Sequence, residues 1–534
     1  MRVALVLASK LGGGYESSFG VRFPPLAAAY LASLAKQAGY SVKFFDASIH
    51  RWGPRKLAKE IVDYDPDIVG FILNASSLHR PSVETAKLVK ETSDSLIVAG
   101  GHHATFVYPL LLRDGFDAVV LHEGEETFSE LLRVYKEGGS LHGIKGIAFR
   151  DRYGKIVRNP LRDFIWDLDK LPFPMFEIFD KKHYTMGLLD PNGSTITIET
   201  SRGCPYNCDY CSVTKMWGGV WRFKSVKRVL EELKRIYELG YKWVFIVDDN
   251  FIVPVKKFLE EKIRLLKEII RKGFNKLRFI IQLRADFVAK NREIANLLYD
   301  AGVRIVFLGI ESGDPNTLRN MRKNISPDIS AKAVKILSDA GIIVHAGFIL
   351  GAPYEGKEAM NTTLRYAYKL IYYGLDSAQF SIYTPLPGTD AFTRAFKNNS
   401  LLTLDWDLYD TLHPVIKTCI SPTKLLIKQR LAHYSFFLRK GLKAISSKTL
   451  LSKPSREKDL YLHNGTKYML KKIPSYLLGL LKLPIEVLKL KIRLSKGINS
   501  SDLKAIGDAI GFWNEIRIKC LKSRYMSFPI SGSK

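Results

Sequence analysis

The 534-residue sequence is poor in cysteine and in long apolar runs. Five cysteines are too few for a disulfide framework in a chain of this length, which favours a reducing compartment. In the C-terminal region, the uncharged run at residues 473–481 is far shorter than the ~20 residues of a membrane-spanning helix. The apolar start, residues 1–9, is too short for a secretory signal and is typical of a first strand. We therefore expect a cytoplasmic protein without a membrane span.

Acidic residues are also scarce relative to basic ones. The chain has 53 Asp and Glu against 81 Lys and Arg, a net charge of +28. Residues 415–534 hold 25 Lys or Arg and 6 Asp or Glu, so this region carries +19 and the first 414 residues carry +9. The pattern indicates a basic domain attached to a nearly balanced protein, and an anionic partner such as membrane phosphate or nucleic acid.

The order of β-rich and helical patterns predicts an α/β protein of about three domains. Residues 1–140 are predicted to form a flavodoxin-like or Rossmann-like layer with a parallel sheet, and residues 141–194 a hairpin and a linker. The alternation restarts over residues 195–400 with six strand–helix units, and residues 401–534 read as a basic helical domain. The predicted strands are residues 2–9, 41–48, 67–73, 95–101, 118–123, 195–200, 243–248, 278–283, 304–310, 344–350 and 378–384.

Three of the five cysteines follow the first strand of the second α/β unit at C-x3-C-x2-C spacing. They are Cys204, Cys208 and Cys211. Three thiolates leave a tetrahedral zinc site incomplete, but they can hold three irons of a [4Fe–4S] cluster and leave the fourth iron open to a ligand. The alternatives are three unconnected thiols, or a zinc knuckle completed by Asp209 or a distant residue.

This cysteine motif resembles that of radical S-adenosylmethionine (SAM) enzymes. The resemblance implies a [4Fe–4S] cluster whose open iron binds SAM and whose electron splits SAM to a 5′-deoxyadenosyl radical. It also implies a reductase or ferredoxin as electron donor. The six strand–helix units are similar to the partial (β/α)6 TIM barrel of that family, in which ligands lie at the C-terminal ends of the strands.

Polar residues at the successive strand ends are the SAM contacts that this resemblance implies. The segment 248–251 resembles the Asp-Asp-Asn-Phe found in such proteins with a B12-binding domain, and its carboxylates suit the SAM ammonium. Arg284 is suited to the SAM carboxylate, with a local salt bridge to Asp286 as the alternative. The predicted SAM residues are Tyr210, Asp248, Asp249, Asn250, Arg284, Glu311, Ser312 and Gly351.

The N-terminal unit resembles the cobalamin (B12)-binding domain that precedes many radical SAM domains. The resemblance lies in residues 24–26, 100–104 and 124–128. The Asp-x-His-x-x-Gly signature of cobalamin mutases is absent, so that signature predicts no histidine ligand to cobalt here. The alternative is a domain that keeps the shape and binds substrate or nothing. The candidate cobalamin contacts are Ser76, Ser77, Gly100, Gly101, His103, Glu123, Gly124 and Glu125.

Residues 467–494 combine many leucines with regularly placed lysines. Such basic amphipathic segments lie in the headgroup plane of anionic membranes; the alternative is a helical hairpin packed on the barrel with its lysines in solvent. The whole arrangement resembles lipid-modifying radical SAM members, namely hopanoid methylases and the archaeal tetraether ring and calditol synthases. That resemblance implies hydrogen abstraction from an unactivated C–H of a membrane lipid or isoprenoid chain, and C–C bond formation by cyclisation, coupling or methylation at the inner membrane face.

Two other functions stay open at the sequence level. RNA modification would use the basic domain to grip phosphates, although radical SAM tRNA methylthiotransferases carry further N-terminal cysteines and this chain has none before Cys204. A non-catalytic Fe–S protein bound to a membrane or to nucleic acid would cleave no SAM. The sequence predicts neither the oligomeric state nor the carbon attacked.

Overall fold

The computed structural model describes residues 1–9, 21–187, 189–446 and 479–522. The first part of the predicted basic amphipathic segment, residues 467–478, lies outside the described residues.

Within the described residues, the first sheet has seven strands, five of them parallel. They are β1 (Arg2–Leu7), β2 (Ser41–Asp46), β3 (Ile68–Ile72), β4 (Leu96–Gly100), β5 (Ala118–Val120), β6 (Ile147–Arg150) and β7 (Ile156–Arg158). The order is β2-β1-β3-β4-β5-β6-β7, and the parallel part has the flavodoxin-like order that the sequence predicts. Every residue of β3 is buried, as expected for a parallel strand covered by helices on both faces.

Helices cover both faces of this sheet. The first begins after Pro24-Pro25 and ends before Gly39, whose φ of +82° suits a left-handed helix stop. They are α1 (Leu26–Gln37), α2 (Ala47–His50), α3 (Pro54–Tyr64), α4 (His79–Lys90), α5 (His102–Arg113) and α6 (Glu125–Lys136).

The hairpin and linker between the two α/β units are integral to the fold. β6 and β7 pair in antiparallel fashion, and β6 also pairs with β5, so the hairpin extends the first sheet beyond residue 140. The linker is packed into the protein, since Phe176, Tyr184 and Met186 are buried. The Tyr184 hydroxyl donates a hydrogen bond to Asp46 at 2.9 Å, which fixes the linker against the first sheet.

The second sheet is the predicted six-stranded parallel layer. Its strands are β8 (Thr195–Ile198), β11 (Trp243–Ile246), β12 (Arg278–Arg284), β13 (Val303–Glu311), β14 (Ile343–Leu350) and β15 (Ser377–Ile382). They pair in chain order, with β8 and β15 at the two edges, as in an open partial barrel. A short antiparallel pair, β9 (Ser201–Arg202) and β10 (Arg222–Phe223), flanks the cysteine loop.

The barrel helices follow the strands in the expected alternation. Ser225, Ser326 and Thr389 each cap a helix by accepting a backbone N–H, so small hydroxyl residues mark these helix starts in the sequence. The helices are α7 (Val213–Trp217), α8 (Val226–Glu238), α9 (Lys256–Arg271), α10 (Ala285–Lys290), α11 (Ile294–Asp300), α12 (Pro315–Asn320), α13 (Pro327–Asp339), α14 (Lys357–Leu370) and α15 (Asp390–Lys397).

The C-terminal helices pack on both α/β units. They are α16 (Pro422–Ser446), α17 (residues 479–495) and α18 (Ser500–Lys522). α16 lies against β15, where Gln429 donates a hydrogen bond to the Phe380 carbonyl at 2.6 Å, and α18 lies against α5, where Arg113 pairs with Asp502 at 2.7 Å. No helix in the described ranges has the length and apolar content that crossing a bilayer requires.

Candidate functional site

The carboxyl ends of the parallel strands in the two sheets meet at one cavity. It has a volume of about 510 Å³, and its walls include Gly100 and Glu123 from the first sheet and Thr197 and Asp249 from the second. A second cavity of about 410 Å³ shares Asn74 and His102 with the first. We call them cavity 1 and cavity 2. Both volumes are typical of ligand sites, and the carboxyl edge of parallel strands is where such folds bind ligands.

The cysteine loop borders both cavities. Cys204, Cys208 and Cys211 are half-buried in the loop between β9 and α7; Arg202 before the loop lines cavity 1, and Ser212 after it lines cavity 2. Burial, together with the neighbouring charges of Asp249 and Cys208, raises the pKa of the Cys204 thiol to about 11. Burial and the other two cysteines likewise raise the pKa of Cys211. The three sulfurs therefore lie close enough to influence one another.

The cysteines are not gathered around a single point. Within the described ranges, no group of three or more Cys, His, Asp or Glu side chains is arranged to hold one metal ion. A zinc site needs its ligands in contact with one centre, whereas each cysteine of a [4Fe–4S] cluster binds a different iron. Three thiols on one loop offer the ligand chemistry that a cluster requires.

Asp209, inside the cysteine motif, anchors the loop to the far edge of the barrel. Its carboxylate accepts a hydrogen bond from the Tyr383 hydroxyl at 3.0 Å and pairs with Arg394, and its backbone carbonyl accepts the Ala391 N–H at 3.1 Å. Burial raises the pKa of Asp209, although Arg394 opposes the shift. Asp209, which the zinc alternative offered as a fourth ligand, thus uses its Oδ2 to position the loop, while its Oδ1 has no partner among the described residues.

Asp248 is hydrogen-bonded within the fold beside the cysteine loop, and its contact with SAM stays a prediction. Its buried carboxylate accepts the N–H groups of Thr200 and Ser201 at 2.6 and 3.0 Å, accepts both hydroxyls of those residues, and pairs with Lys262 at 2.8 Å. These donors use the acceptor capacity of the carboxylate. Asp248 therefore fixes the bend that leads from β8 into the cysteine loop.

Asp249 and Asn250 are better placed to meet a ligand. Asp249 lines cavity 1 and accepts the Gly203 N–H at 3.1 Å, while burial raises its pKa to about 7. Asn250 is buried, and both polar atoms of its side chain lack a hydrogen-bond partner within the described part of the chain. An unpaired buried amide is costly, so such a group suits a site that a polar ligand completes.

Arg284 forms the local salt bridge that the sequence left open as an alternative. Its guanidinium donates to both Asp286 oxygens at 3.2 Å and to the Lys323 carbonyl at 2.9 Å. It also stacks on Tyr206, with 3.7 Å between the guanidinium carbon and the ring centroid. Arg284 consequently holds the cysteine loop from the β12 side.

Glu311 and Tyr210 form one buried group on the other side of the loop. The Glu311 carboxylate accepts hydrogen bonds from Lys323 at 3.0 Å and from the Tyr210 hydroxyl, and burial raises the pKa of that hydroxyl. Glu311 has a φ of +66°, which a non-glycine residue rarely adopts, at a register shift between β13 and β14. Backbone strain of this kind is concentrated at functional sites.

Ser312 and Gly351 both have close contacts within the fold, and their contact with SAM stays a prediction. The Ser312 hydroxyl is 2.7 Å from the Thr363 hydroxyl and accepts the Asp314 N–H at 3.0 Å. Gly351 has a φ of +80°, and a Cβ there would lie 2.4 Å from the Leu425 side chain. Of the predicted SAM residues, Ser312 and Gly351 thus share with Asp248 a structural role.

Glu123 and Glu125, predicted as cobalamin contacts, bind arginines of the second α/β unit. Arg202 pairs with Glu123 at 2.7 Å, with Glu125 at 2.5 Å and with Glu199 at 2.7 Å, and Arg222 pairs with Glu123 at 2.8 Å. We call this group the Arg202 cluster. All its members line or adjoin cavity 1 and most are buried, so the cluster joins the two units at the cavity wall.

The remaining cobalamin candidates divide between the two cavities. Gly100, Gly101 and Gly124 line cavity 1, and Ser76, Ser77 and His103 line cavity 2. His103 has both ring nitrogens engaged: Nδ1 is 2.9 Å from Ser76 Oγ, and Nε2 is 3.0 Å from His79 Nδ1. It is therefore not available as a metal ligand in this arrangement.

Three polar residues at cavity 1 escaped the sequence analysis: His122, Arg202 and Glu199. His122 has a φ of +61° and a ring Nδ1 2.8 Å from the Met216 carbonyl, while its buried Nε2 has no partner among the residues that the structure describes. Arg202 stands two residues before Cys204, and Glu199 five before it. The available sequence signal was closeness to a motif. His122 directly precedes Glu123, and Arg202 and Glu199 lie shortly before the cysteine motif.

Known family models match both α/β units that form cavity 1. A model of the B12 binding domain matches residues 15–132, and a model of the radical SAM superfamily matches residues 198–367. An uncharacterized methyltransferase of Pyrococcus horikoshii is 34% identical over 87% of this chain and 96% of its own length.

The chain belongs to the radical SAM enzymes that carry a B12-binding domain.

Relatives of this radical SAM enzyme include proteins named for different substrates. The anaerobic magnesium-protoporphyrin IX monomethyl ester cyclase of Cereibacter sphaeroides is 29% identical over 83% of this chain and 71% of its own length. The hopanoid C-3 methylase of Methylococcus capsulatus is 28% identical over 74% of this chain and 73% of its own. The solved structure of the cobalamin-dependent radical SAM enzyme OxsB, 18% identical, has a TM-score of 0.65 over 98% of this chain and 80% of OxsB, which shows a shared fold.

The cofactors of this radical SAM family are a [4Fe–4S] cluster, SAM and cobalamin, and the residues present fit each of them. Cys204, Cys208 and Cys211 would hold the cluster, and Asp249 and the unpaired Asn250 amide would meet polar groups of SAM. The glycines of cavity 1 leave backbone uncovered at the strand ends; a Cβ at Gly100 would meet only Val120, at 3.6 Å. A bulky ligand such as cobalamin can approach the backbone closely at such positions.

Proposed function

We propose that this chain is a cobalamin-dependent radical SAM methyltransferase that acts on an unactivated carbon of a membrane lipid or isoprenoid chain. The observation that carries the proposal is the shared wall of cavity 1, which the B12-binding unit and the cysteine loop of the barrel form together. When bound, the cluster and SAM supply a primary alkyl radical and cobalamin carries a methyl group for transfer.

The chain's own residues would orient these partners and exclude water. The Arg202 cluster holds the two units at a fixed separation, while Asp209, Arg284 and Asp248 fix the cysteine loop from three sides. The rest of the cavity 1 wall is largely apolar, with Phe71, Ile72, Val98, Phe245 and Val247 among its residues. An apolar wall suits a reactive radical, because it offers few polar groups, and it suits a hydrocarbon substrate.

The choice of a lipid among possible substrates rests on two supports. The hopanoid C-3 methylase is named for a lipid and matches most of the chain, although the cyclase relatives are named for a porphyrin. The basic C-terminal region adds a surface that favours an anionic membrane.

The test is mass spectrometry of total lipids from cells that express the chain or variants of it. We expect a lipid one methylene heavier with the wild type and with Cys419→Ala, whose cysteine is exposed and outside the motif. The triple variant Cys204→Ala, Cys208→Ala, Cys211→Ala should lack this product because it cannot hold the cluster. A product two hydrogens lighter would instead indicate ring formation.

An assay for SAM cleavage separates a wrong substrate from a wrong reaction class. Anaerobically reconstituted protein with a reductant should release 5′-deoxyadenosine, and the triple cysteine variant should not. SAM cleavage with an unchanged lipid profile would contradict the lipid substrate and direct the search to RNA. Full cluster loading without SAM cleavage would contradict catalysis.

A further inference from the structure

Helix α17 presents an apolar stripe to solvent. Leu481, Ile485, Leu488 and Ile492 are 75, 54, 57 and 53% exposed. They are spaced by four, three and four residues, so they lie on one face of the helix. Large apolar side chains are usually buried when they lie on one helix face, and a contiguous exposed patch marks an interaction site.

The opposite face of α17 is fixed to the body of the protein. Leu490 is buried, and the half-buried Val487 and Leu494 pack into the same core as the first sheet. Arg493 pairs with Asp407 at 3.1 Å, and Glu486 accepts a hydrogen bond from Arg430 of α16 at 3.1 Å. The helix is therefore packed against the protein with a defined face outward. Its apolar stripe is not exposed because the helix is detached.

Lysines flank the stripe on both sides. Lys482 and Lys489 directly follow stripe residues, Lys491 directly precedes one, and Lys496 lies one turn beyond the last; all four are exposed. One residue corresponds to about 100° around a helix axis, so the ammonium groups of Lys482, Lys489 and Lys491 border the stripe, and Lys496 follows the end of the helix. Long lysine side chains can lay their stems on an apolar surface while the charged ends stay at its edge.

Exposed apolar side chains are concentrated in this part of the molecule. Seven of the thirteen large apolar residues that are exposed in the described ranges lie on α16 and α17. The three on α16 are Leu431, Leu438 and Leu442, spaced by seven and four residues and so also on one helix face. The concentration favours a specific surface over scattered single residues.

We propose that the exposed face of α17 docks this enzyme on an anionic lipid bilayer. The four apolar residues would enter the boundary between headgroups and acyl chains, and the four lysines would meet the headgroup phosphates. This docking rests on the proposed function, because it would bring the enzyme to its lipid substrate. Vesicle binding does not require catalysis, so the docking proposal and the proposed function can fail separately.

The charge of this face favours an anionic bilayer over a second copy of the chain or a nucleic acid as its partner. A second copy packed stripe to stripe would bring two sets of these lysines together, in a region that already carries +19 over residues 415–534. Like charges placed together destabilise a contact. A nucleic acid would use the lysines but has no need of four exposed aliphatic side chains between them.

The experiment is co-sedimentation of the full chain with two kinds of vesicle, phosphatidylcholine alone and phosphatidylcholine mixed with an equal part of phosphatidylglycerol. The wild type should bind the mixed vesicles at least tenfold more tightly, because each lysine near an anionic surface contributes about fivefold. The stripe variant Leu481→Gln, Ile485→Gln, Leu488→Gln, Ile492→Gln should lose at least tenfold in binding to the mixed vesicles. The lysine variant K482Q/K489Q/K491Q/K496Q should lose the preference for phosphatidylglycerol.

Tyr153→Gln with Tyr237→Gln provides a matched control, because both tyrosines are exposed and lie on other elements. This variant should bind as the wild type does. Unchanged binding by the stripe variant would overturn the proposal, as would absence of wild-type binding to the mixed vesicles. A stripe variant that binds vesicles normally but changes from dimer to monomer in analytical ultracentrifugation would assign the face to a second copy and also overturn it.

Discussion

At the scale of single residues, the cysteine loop is positioned by side chains far away in the sequence. Asp209 contacts Tyr383 and Arg394, which are more than 170 positions later, and Arg284 stacks on Tyr206. The thiols contribute the ligand chemistry, but these neighbours determine where the loop holds them. Changes at such residues should affect cluster binding without removing a sulfur.

Asp209→Asn should lower cluster occupancy. The amide keeps an acceptor for the Tyr383 hydroxyl but loses the charge that pairs with Arg394, so the loop loses part of its anchor. We expect iron and sulfide per chain after anaerobic reconstitution to fall below the wild-type values. Asp339→Asn, in an exposed pair with Lys335 on α13, is the control and should leave both unchanged. Equal iron content in the two variants would contradict the anchoring role.

Glu355 predicts a pH dependence of stability. Burial raises the pKa of Glu355 from 4.5 to about 7, and the Asp314 charge adds to the shift, against the opposing effect of the Gly351 and Ala352 N–H groups. The stability that the protonated form contributes is complete below pH 4.5 and is lost as the pH rises towards 7. Glu355→Gln cannot ionise, so it should be more stable than the wild type at pH 8, by about 3 kcal/mol at most.

The measurement for Glu355 is denaturant unfolding at pH 5 and pH 8. The difference between Glu355→Gln and the wild type should grow with pH. Glu358→Gln changes an exposed carboxylate three residues away and should follow the wild type at both pH values. A constant difference between Glu355→Gln and the wild type would show that its carboxyl titrates normally.

At the scale of elements, strands and helices were predictable and side-chain partners were not. All eleven predicted parallel strands are present, with ends displaced by three residues or fewer, because continuous β-branched runs bounded by turn residues determine them locally. Asp248, for example, pairs with Lys262, which lies on another element. Ser312 and Gly351 likewise have their contacts on other elements, with Thr363 and Leu425 respectively. Such partners cannot be read from the segment that carries the motif.

The two glycines at the end of β4 should respond differently to alanine. A Cβ at Gly101 would lie 2.4 Å from Asn74 Oδ1, with a φ of +113°, so Gly101→Ala should cost about 2 kcal/mol or more. At Gly100 the nearest atom would be Val120 Cβ at 3.6 Å, so Gly100→Ala should change stability by less than about 1 kcal/mol.

Thermal or denaturant unfolding measures the stability of both glycine variants. The absorption spectrum of protein from B12-fed cells measures bound corrinoid, which Gly100→Ala should reduce because the new methyl group enters cavity 1. Full corrinoid content in a well-folded Gly100→Ala protein would argue that cobalamin does not approach this backbone.

At the scale of the whole molecule, the Arg202 cluster is a largely buried polar connection between the two α/β units. Arg202→Gln would leave Glu123, Glu125 and Glu199 without their shared cation, and breaking a buried ion pair in this way costs about 3–5 kcal/mol. Arg133→Gln removes an exposed pair with Glu137 and should cost at most about 1 kcal/mol.

Unfolding in denaturant measures both arginine variants, and limited proteolysis of the 159–194 linker reports on the contact between the units. Arg202→Gln should be cleaved faster there than the wild type and than Arg133→Gln. Equal stability and equal cleavage of the two variants would mean that apolar packing alone joins the units.

Cavity 1 takes its walls from both α/β units, so any ligand bound there is thermodynamically linked to their contact. A ligand that binds only the joined arrangement stabilises it by an amount that grows with the logarithm of its concentration, about 2.7 kcal/mol at a hundred times its Kd. Cofactor supply would then regulate how firmly the chain holds its own halves together. Enzyme made under cobalamin starvation would be the form most open to cellular proteases.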